Sequence, residues 1–394
     1  MRLRNLKRKT CACLLAAAAG VCLNAQETFE AKYESGTKAN PASVHVLLRT
    51  SSRQDTFQLF EAIPITLEFI STGAMRYSIE MDETMNSAGM SNRFYVSDSD
   101  STYFTVEQFL SGGVVCCDSD KRTLSSHPVE LNREMTDYIR FTKPGTYRVI
   151  YATNRVFSGF SERHDFRQSK VSLTSNQLTL TILPDDEGWN SRELGMVLSR
   201  LRDPEIKGKY IAASRRAKAL QLRSETGADY AYKNIVSQTE YARARTALNA
   251  LDTPQAIKQR VAMMEMESEA DLEMSRKYGA GTILPEPLLA STTRADLFVE
   301  AMDKRASEPD FRIDYNFAYW WQKLLIQKEH PEIFRPFLDD SEREKRIREY
   351  MSHYFEAQQR ILARLEQLAP SKVGKGKEAT NLTIKVILGY RATK

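Results

Sequence analysis

Between residues 183 and 188 the apolar period of the chain changes from two to that of a helix, and no single-layer or uniform fold accommodates such a change. Upstream, Val44, Val46 and Leu48 alternate with His45, Leu47 and Arg49, and Ile65, Leu67 and Phe69 alternate with Thr66 and Glu68. Tyr77, Ile79 and Met81, then Leu178, Leu180 and Ile182, repeat the pattern. Alternation of this kind puts one face of a strand on a core and the other in water. Turn-rich stretches such as Ser71-Thr72-Gly73 and Ser111-Gly112-Gly113 separate the runs. About seven or eight strands are expected, the size of a sandwich with Greek-key links.

Downstream of Pro184-Asp185-Asp186-Glu187-Gly188, an acidic, turn-rich stretch with the composition of a linker, helical signals take over. Asn190 with Glu193 reads as a capping box, the helix it opens stops near Asp203-Pro204, and Thr253 caps a helix with Pro254 at its first position. Thr293 with Asp296, and Ser341 with Glu344, read as further starts. The last and longest helix carries Ile347, Met351, Tyr354, Phe355, Ile361, Leu362, Leu365 and Leu368 as one stripe. After a basic stretch at 371–377, Leu382, Ile384, Val386 and Leu388 alternate like a strand. A lone strand leaves its backbone unpaired, so it is expected to return to an edge of the β region. The expected organisation is multi-domain, all-β then all-α. An export signal covers 1–25, an immunoglobulin-like β-sandwich 26–184, a helical bundle or irregular α-solenoid 190–370, and a basic tail with a strand 371–394.

The export signal is read from Arg2, Arg4, Lys7, Arg8 and Lys9, the apolar run from Cys11 to Leu23, and the small residue Ala25. It implies a periplasmic or extracellular product that is soluble after cleavage. The run is short of the roughly 20 apolar residues of a membrane span. Of 56 basic residues five lie in this segment, leaving 51 against 51 acids. A balanced mature chain lacks the basic footprint of a nucleic-acid binder. Three of the five cysteines also lie in it, and the remaining pair, Cys116-Cys117, cannot staple a disulfide scaffold.

The segment Lys143-Pro144-Gly145-Thr146-Tyr147-Arg148-Val149, followed by Ser175-Asn176 and a last alternating strand, resembles bacterial immunoglobulin-like surface domains. Ala219-Leu220, Leu222 and Thr226 have a loose echo in Ala247-Leu248, Leu251 and Thr253, offset by about 27 to 29 residues, as in HEAT-like helical pairs. The whole layout looks like secreted bacterial proteins in which an immunoglobulin-like sandwich precedes HEAT-like helices. That resemblance implies an architecture and no activity.

Candidate chemistry is sparse. Cys116-Cys117 reads either as a strained, redox-sensitive vicinal pair or as two small apolar residues continuing Val114-Val115. Asp98-Ser99-Asp100 with Glu107 fails as a calcium loop, because positions six and twelve hold Tyr103 and Phe109 where glycine and glutamate are needed. His164-Asp165 are sequence neighbours, whereas a catalytic triad assembles from separate segments. His45, His127, His330 and His353 lack metal-type spacing, and no nucleotide loop, nucleophile elbow or zinc-protease motif occurs. No cofactor and no catalytic residue is assigned.

The run Tyr315, Phe317, Tyr319, Trp320 and Trp321 is the candidate binding segment, with a buried central helix as the competing reading. The expected function is a non-enzymatic interaction protein of the envelope whose helices engage a protein or glycan. The alternatives are a carbohydrate-active enzyme or glycan binder, whose two carboxylates would face an aromatic-lined cleft, and a structural envelope component. The export reading is checked by N-terminal sequencing of protein from the envelope fraction. Cleavage is expected between Ala25 and Gln26, and recovery of chains beginning at Met1 would overturn it.

Overall fold

The computed structural model describes residues 28–73, 77–81, 92–105, 121–159, 169–223, 235–264, 292–337 and 340–392. The export segment, Cys116, Cys117, Glu107, His164 and Asp165 lie outside them. The order is a β-rich region followed by a helical one.

A helix that the periodicity does not announce comes first. In α1 (Phe29–Ala39) the Thr28 hydroxyl accepts from the Ala31 amide, the geometry of an N-cap. The helix lies on the outer side of a sheet, where Phe29 packs with Tyr95 and Ile150, and Glu30 pairs with Arg148. Asn40 exchanges two hydrogen bonds with the Thr174 backbone at 2.7 and 2.8 Å.

Twelve strands follow among the described residues. They are β1 (Val44–Thr50), β2 (Thr56–Gln58), β3 (Pro64–Ser71), β4 (Tyr77–Glu80), β5 (Asn92–Val96) and β6 (Thr102–Phe104), then β7 (Lys121–Thr123), β8 (Val129–Glu134), β9 (Ile139–Phe141), β10 (Gly145–Ser158), β11 (Ser169–Thr174) and β12 (Leu178–Leu183). One sheet has the order β1-β3-β8. A second runs β2-β12-β10-β4-β7, with β11 and β5 also paired to the long β10, and β6-β9 form a small third ladder. The β2–β12 pair is parallel; the others are antiparallel. Val44, Val46, Leu48, Ile65, Leu67 and Phe69 face inward as their alternation requires. Tyr147, Val149 and Tyr151 are buried likewise, and the Tyr147 hydroxyl donates to the Lys143 carbonyl at 2.8 Å.

Only three residues separate β12 from α2 (Glu187–Arg202). The cap is Asp186, whose carboxylate accepts from the Trp189 amide at 3.0 Å. Asn190, expected at the cap, is buried inside the helix, because Asp186 offers a short acceptor one turn earlier. Next come α3 (Pro204–Arg223), α4 (Glu240–Ala250) and α5 (254–264), the last capped by Thr253 as expected. The chain ends with α6 (Ala295–Ala306), α7 (Tyr315–Glu329), α8 (Asp340–Leu368) and α9 (Gly374–Ala392). Thr293 is no cap for α6, since its amide and hydroxyl go to Asp252 instead.

The expected C-terminal strand is a helix. Gly376, Thr380, Thr383, Ile384 and Ile387 recur at helical spacing and face the body, while Leu382 is 63% exposed. A β-carbon on Gly376 would sit 2.9 Å from the Phe311 carbonyl oxygen, so α9 approaches that loop only through glycine. The Thr383 hydroxyl donates to the Ile313 carbonyl at 3.0 Å. The basic stretch is anchored: Lys372 is buried, and its ammonium donates to the carbonyls of Ala306, Glu308 and Phe311 at and just past the end of α6.

The strands share one apolar cluster with α5 to α9, while α2 to α4 pack around a second cluster with Val197, Leu248 and Leu251. Phe337 inserts toward the β region, edge-on to Phe104 with ring centroids 5.2 Å apart, beneath the Arg93 guanidinium at 5.2 Å. Burying such a ring contributes about 2 kcal/mol. The Arg140 guanidinium, from β9, donates to the Ala250 carbonyl at 3.0 Å. Beside it the buried Asp252 carboxylate accepts from Arg260 at 3.0 Å, the Thr292 and Thr293 hydroxyls at 2.7 and 2.9 Å, and the Thr293 amide at 2.6 Å. Removing one partner of a buried, fully bonded charge pair costs about 3–5 kcal/mol. Asp252→Ala is therefore expected to lower stability by about that amount in urea unfolding. A loss below about 1 kcal/mol would show that the carboxylate is not what holds these segments.

Candidate functional site

The Asp314 carboxylate accepts from the Phe317 amide at 2.8 Å and starts α7, and this fixes where each residue of the aromatic run points. Successive residues lie 100° apart around a helix. Phe317 and Trp321, four apart, fall on the core side. Phe317 meets Phe311 with centroids at 5.0 Å and Trp321 at 5.9 Å. Tyr315, Tyr319 and Trp320 fall outward. Tyr315 is 37% exposed, and Tyr319 and Trp320 are half-buried. The rings of Tyr315 and Tyr319 are near-parallel at 6.2 Å, and Tyr319 and Trp320 meet edge to face at 5.8 Å. The Lys323 ammonium lies over both of the latter, 4.1 and 4.4 Å from their centroids. The expected segment thus divides into two core residues and three residues of a surface.

The surface continues onto α8. The Gln322 amide donates to the Tyr354 carbonyl at 2.8 Å and joins the helices. Burial and the neighbouring Tyr319 push the Tyr354 hydroxyl above its usual pKa. Tyr354 meets Phe355 edge to face at 5.7 Å. Phe355 is 46% exposed and Met351 43%. Both were expected in the buried stripe of α8. The buried stripe keeps Ile361, Leu362, Leu365 and Leu368 as expected, with Ile347 and Tyr354 half-buried against it, and adds Tyr350 and Ala357. Leu362 lies on the same flank as Met351 and Phe355, eleven and seven residues further on, and is buried, so helical spacing alone does not separate the exposed pair from the core.

A second polar constellation lies in a narrow cleft of about 10 Å³ where the regions meet, lined by Gln58, Phe60, Glu61, Thr136, Arg140, Phe141, Asp252 and Thr293 among others. It has two aromatic rings and two carboxylates, the composition expected of the enzymatic alternative. The chemistry differs, because Asp252 is committed to four hydrogen bonds. Desolvation raises the Glu61 pKa, while one of its oxygens accepts from the Gln58 amide at 2.7 Å. Glu134, near Thr136 and Arg140, has an enclosed Oε1 without a hydrogen-bond partner. Its pKa is raised well above the usual carboxylate value, by burial first and by Asp137 second. Burial lowers the pKa of Arg260, which lies near Arg140, to about 10.

The remaining expectations are met by structural roles. Asp98 accepts from the Asp100 amide at 3.1 Å and the Ser101 hydroxyl at 2.7 Å, closing its own turn. His330 and His353 stack with centroids 3.6 Å apart. Among the described residues no group of three or more His, Cys, Asp or Glu is placed to hold a metal, and no helix is long and apolar enough to cross a membrane. The chain matches no protein-family model, and no curated protein aligns with it significantly.

Glu134 gives a pH signature. Its folded pKa lies above its unfolded one, so its stabilising contribution is complete below the unfolded value and is lost as pH rises toward the folded one. Glu134→Gln, which cannot ionise, is expected to be more stable than the parent near neutral pH, with the difference shrinking as pH falls to about 4. Urea unfolding across that range measures it. A difference independent of pH would show that the carboxyl is not held protonated.

Proposed function

We propose that the chain is an exported, non-enzymatic interaction protein of the bacterial envelope, periplasmic or extracellular, and that its helices contact a protein partner. The observation that carries this reading is the contiguous outward set Tyr315, Tyr319, Trp320, Met351, Tyr354 and Phe355 on α7 and α8. Large aromatic side chains and methionine are enriched where proteins meet, and they supply most of the energy at such contacts. Folding alone gives no reason to leave Phe355 and Met351 open to water when the same helix buries a full apolar stripe.

The architecture we propose with it is an immunoglobulin-like sandwich followed by HEAT-like helical pairs. Its support is the Tyr147 hydroxyl bonded to a carbonyl four residues upstream, at the start of the long β10, as in the tyrosine corner of such sandwiches.

The test pairs two tryptophans that differ in direction. Trp321→Ala is expected to cost about 3–5 kcal/mol of stability, as a buried ring does. Trp320→Ala and Phe355→Ser are expected to cost far less in urea unfolding. A photoreactive phenylalanine analogue at Tyr315 or Phe355 should give a discrete protein adduct in envelope extract. The same analogue at Glu344, exposed near the start of α8, should not. Adducts of equal yield at all positions, or none at Tyr315 and Phe355, would overturn the reading.

A further inference from the structure

The helix α3 is electrically unlike the rest of the chain. Its twenty residues carry Lys207, Lys209, Arg215, Arg216, Lys218 and Arg223 against the single acid Glu205. By contrast α8, the longest helix, carries six acids and six bases. Without the export segment the chain has equal numbers of each, so the positive charge of α3 is a local feature.

One side of α3 is buried. Tyr210, Ser214 and Ala217 turn inward, Tyr210 meets Tyr241 of α4 with centroids 4.8 Å apart, and Arg245 donates to the Tyr210 hydroxyl at 3.4 Å. Lys207, Lys209, Arg215 and Arg216 are all exposed; Lys209, Arg215 and Arg216 lie on the side away from Tyr210, while Lys207, one turn before it, flanks the buried stripe near the start of the helix. Helical spacing arranges these in two rows, Lys207-Ile211-Arg215 on one flank and Lys209 with Arg216 on the other. Gly208 and Ala212 lie between the rows and project nothing bulky. The cations span about 14 Å along the axis. Lys209 pairs with Glu205 at 2.7 Å, so one of the four charges is partly offset.

We propose that this face of α3 is a peripheral docking surface for a membrane leaflet rich in anionic phospholipid headgroups. Two opposed rows of cations fit a plane of phosphates better than they fit a single small anion. Clusters of four to eight basic residues on an amphipathic helix attract such leaflets. Ile211 decides for a lipid surface over an acidic glycan or nucleic acid. It is 37% exposed in the middle of a cation row, and a headgroup layer buries such a side chain while a hydrated polyanion leaves it wet. The Lys and Arg stems add apolar length with their charges at the phosphate level. Since no described helix can cross a membrane, attachment through these residues is interfacial. The face is distinct from the aromatic surface on α7 and α8, so the two readings fail separately.

The experiment is sedimentation of the mature chain, beginning at Gln26, with vesicles of phosphatidylcholine alone or mixed with phosphatidylglycerol. Binding is expected to the mixed vesicles only, and to fall steeply with added salt. The Lys207→Glu/Arg215→Glu/Arg216→Glu variant should bind at least about tenfold more weakly. Its melting temperature reports folding, and the glutamine versions of the same three substitutions serve if the glutamate set unfolds. Ile211→Ser should weaken vesicle binding and leave retention on heparin unchanged. Absence of binding to mixed vesicles, or equal binding by the folded variants, overturns the proposal. Retention on heparin without vesicle binding also overturns it and assigns the face to an acidic glycan.

Discussion

Leu251 ends one helix, Thr253 caps the next, and the residue between them, Asp252, is an almost fully buried carboxylate. A charge in that position is tolerable only if donors converge on it. Four do, from Arg260 on α5 and from the Thr292 and Thr293 segment that leads into α6. One residue therefore sets the angle between α4 and α5 and fixes where the chain returns after residue 291. The neighbouring Ala250 carbonyl receives Arg140 from β9, so the same turn docks the β region. The Gln327 amide bonds the Thr292 carbonyl at 2.6 Å, so α7 is positioned from it too. The helix that carries the aromatic face is thus tied to the same polar junction.

This junction explains which parts of the fold were legible in the sequence. Strands with one wet face announce themselves through alternation, and β1, β3, β4 and β12 do so. Helices whose caps are local, such as α5 with Thr253, announce themselves as well. What stayed hidden depends on partners far along the chain. Thr293 has the spacing of a cap, yet a carboxylate 41 residues away takes its hydroxyl. Helix α9 has apolar residues at Leu382, Ile384, Val386 and Leu388, and this alternation imitates a strand. Its buried residues Gly376, Thr380, Thr383 and Ile387 keep helical spacing, and Gly376 and Thr383 dock it against the Phe311 and Ile313 carbonyls. Polar α1 has a weak apolar stripe, and its place comes from Phe29 and the Asn40–Thr174 bonds.

The candidate site shows the same division. The aromatic run was visible as composition, and its helical phase was visible as arithmetic. The direction of that phase was not, because Tyr315, Phe317, Tyr319, Trp320 and Trp321 carry similar hydrophobicity on every side. Asp314 settles the start of the helix, and Phe311 and Phe334 in the core settle which side turns inward. Met351 and Phe355 share a flank with the buried Leu362, so their exposure depends on which neighbour covers each turn of the helix and not on their spacing.

Trp320 and Trp321 show how one helix serves two purposes. Adjacent indoles point about 100° apart, so with Trp321 in the core Trp320 falls at the rim, half-buried against the same cluster. The core residue anchors the turn, and the outer residue inherits its rigidity. Tyr319 and the Lys323 ammonium restrict Trp320 further. A side chain already confined in the free protein loses little rotamer freedom on contact, and that loss is among the main costs of association. An aromatic face built on a core-anchored helix is therefore better placed to bind than the same residues on a loop. The stability of the helical region and the binding capacity of its surface then come from alternate residues of a single turn.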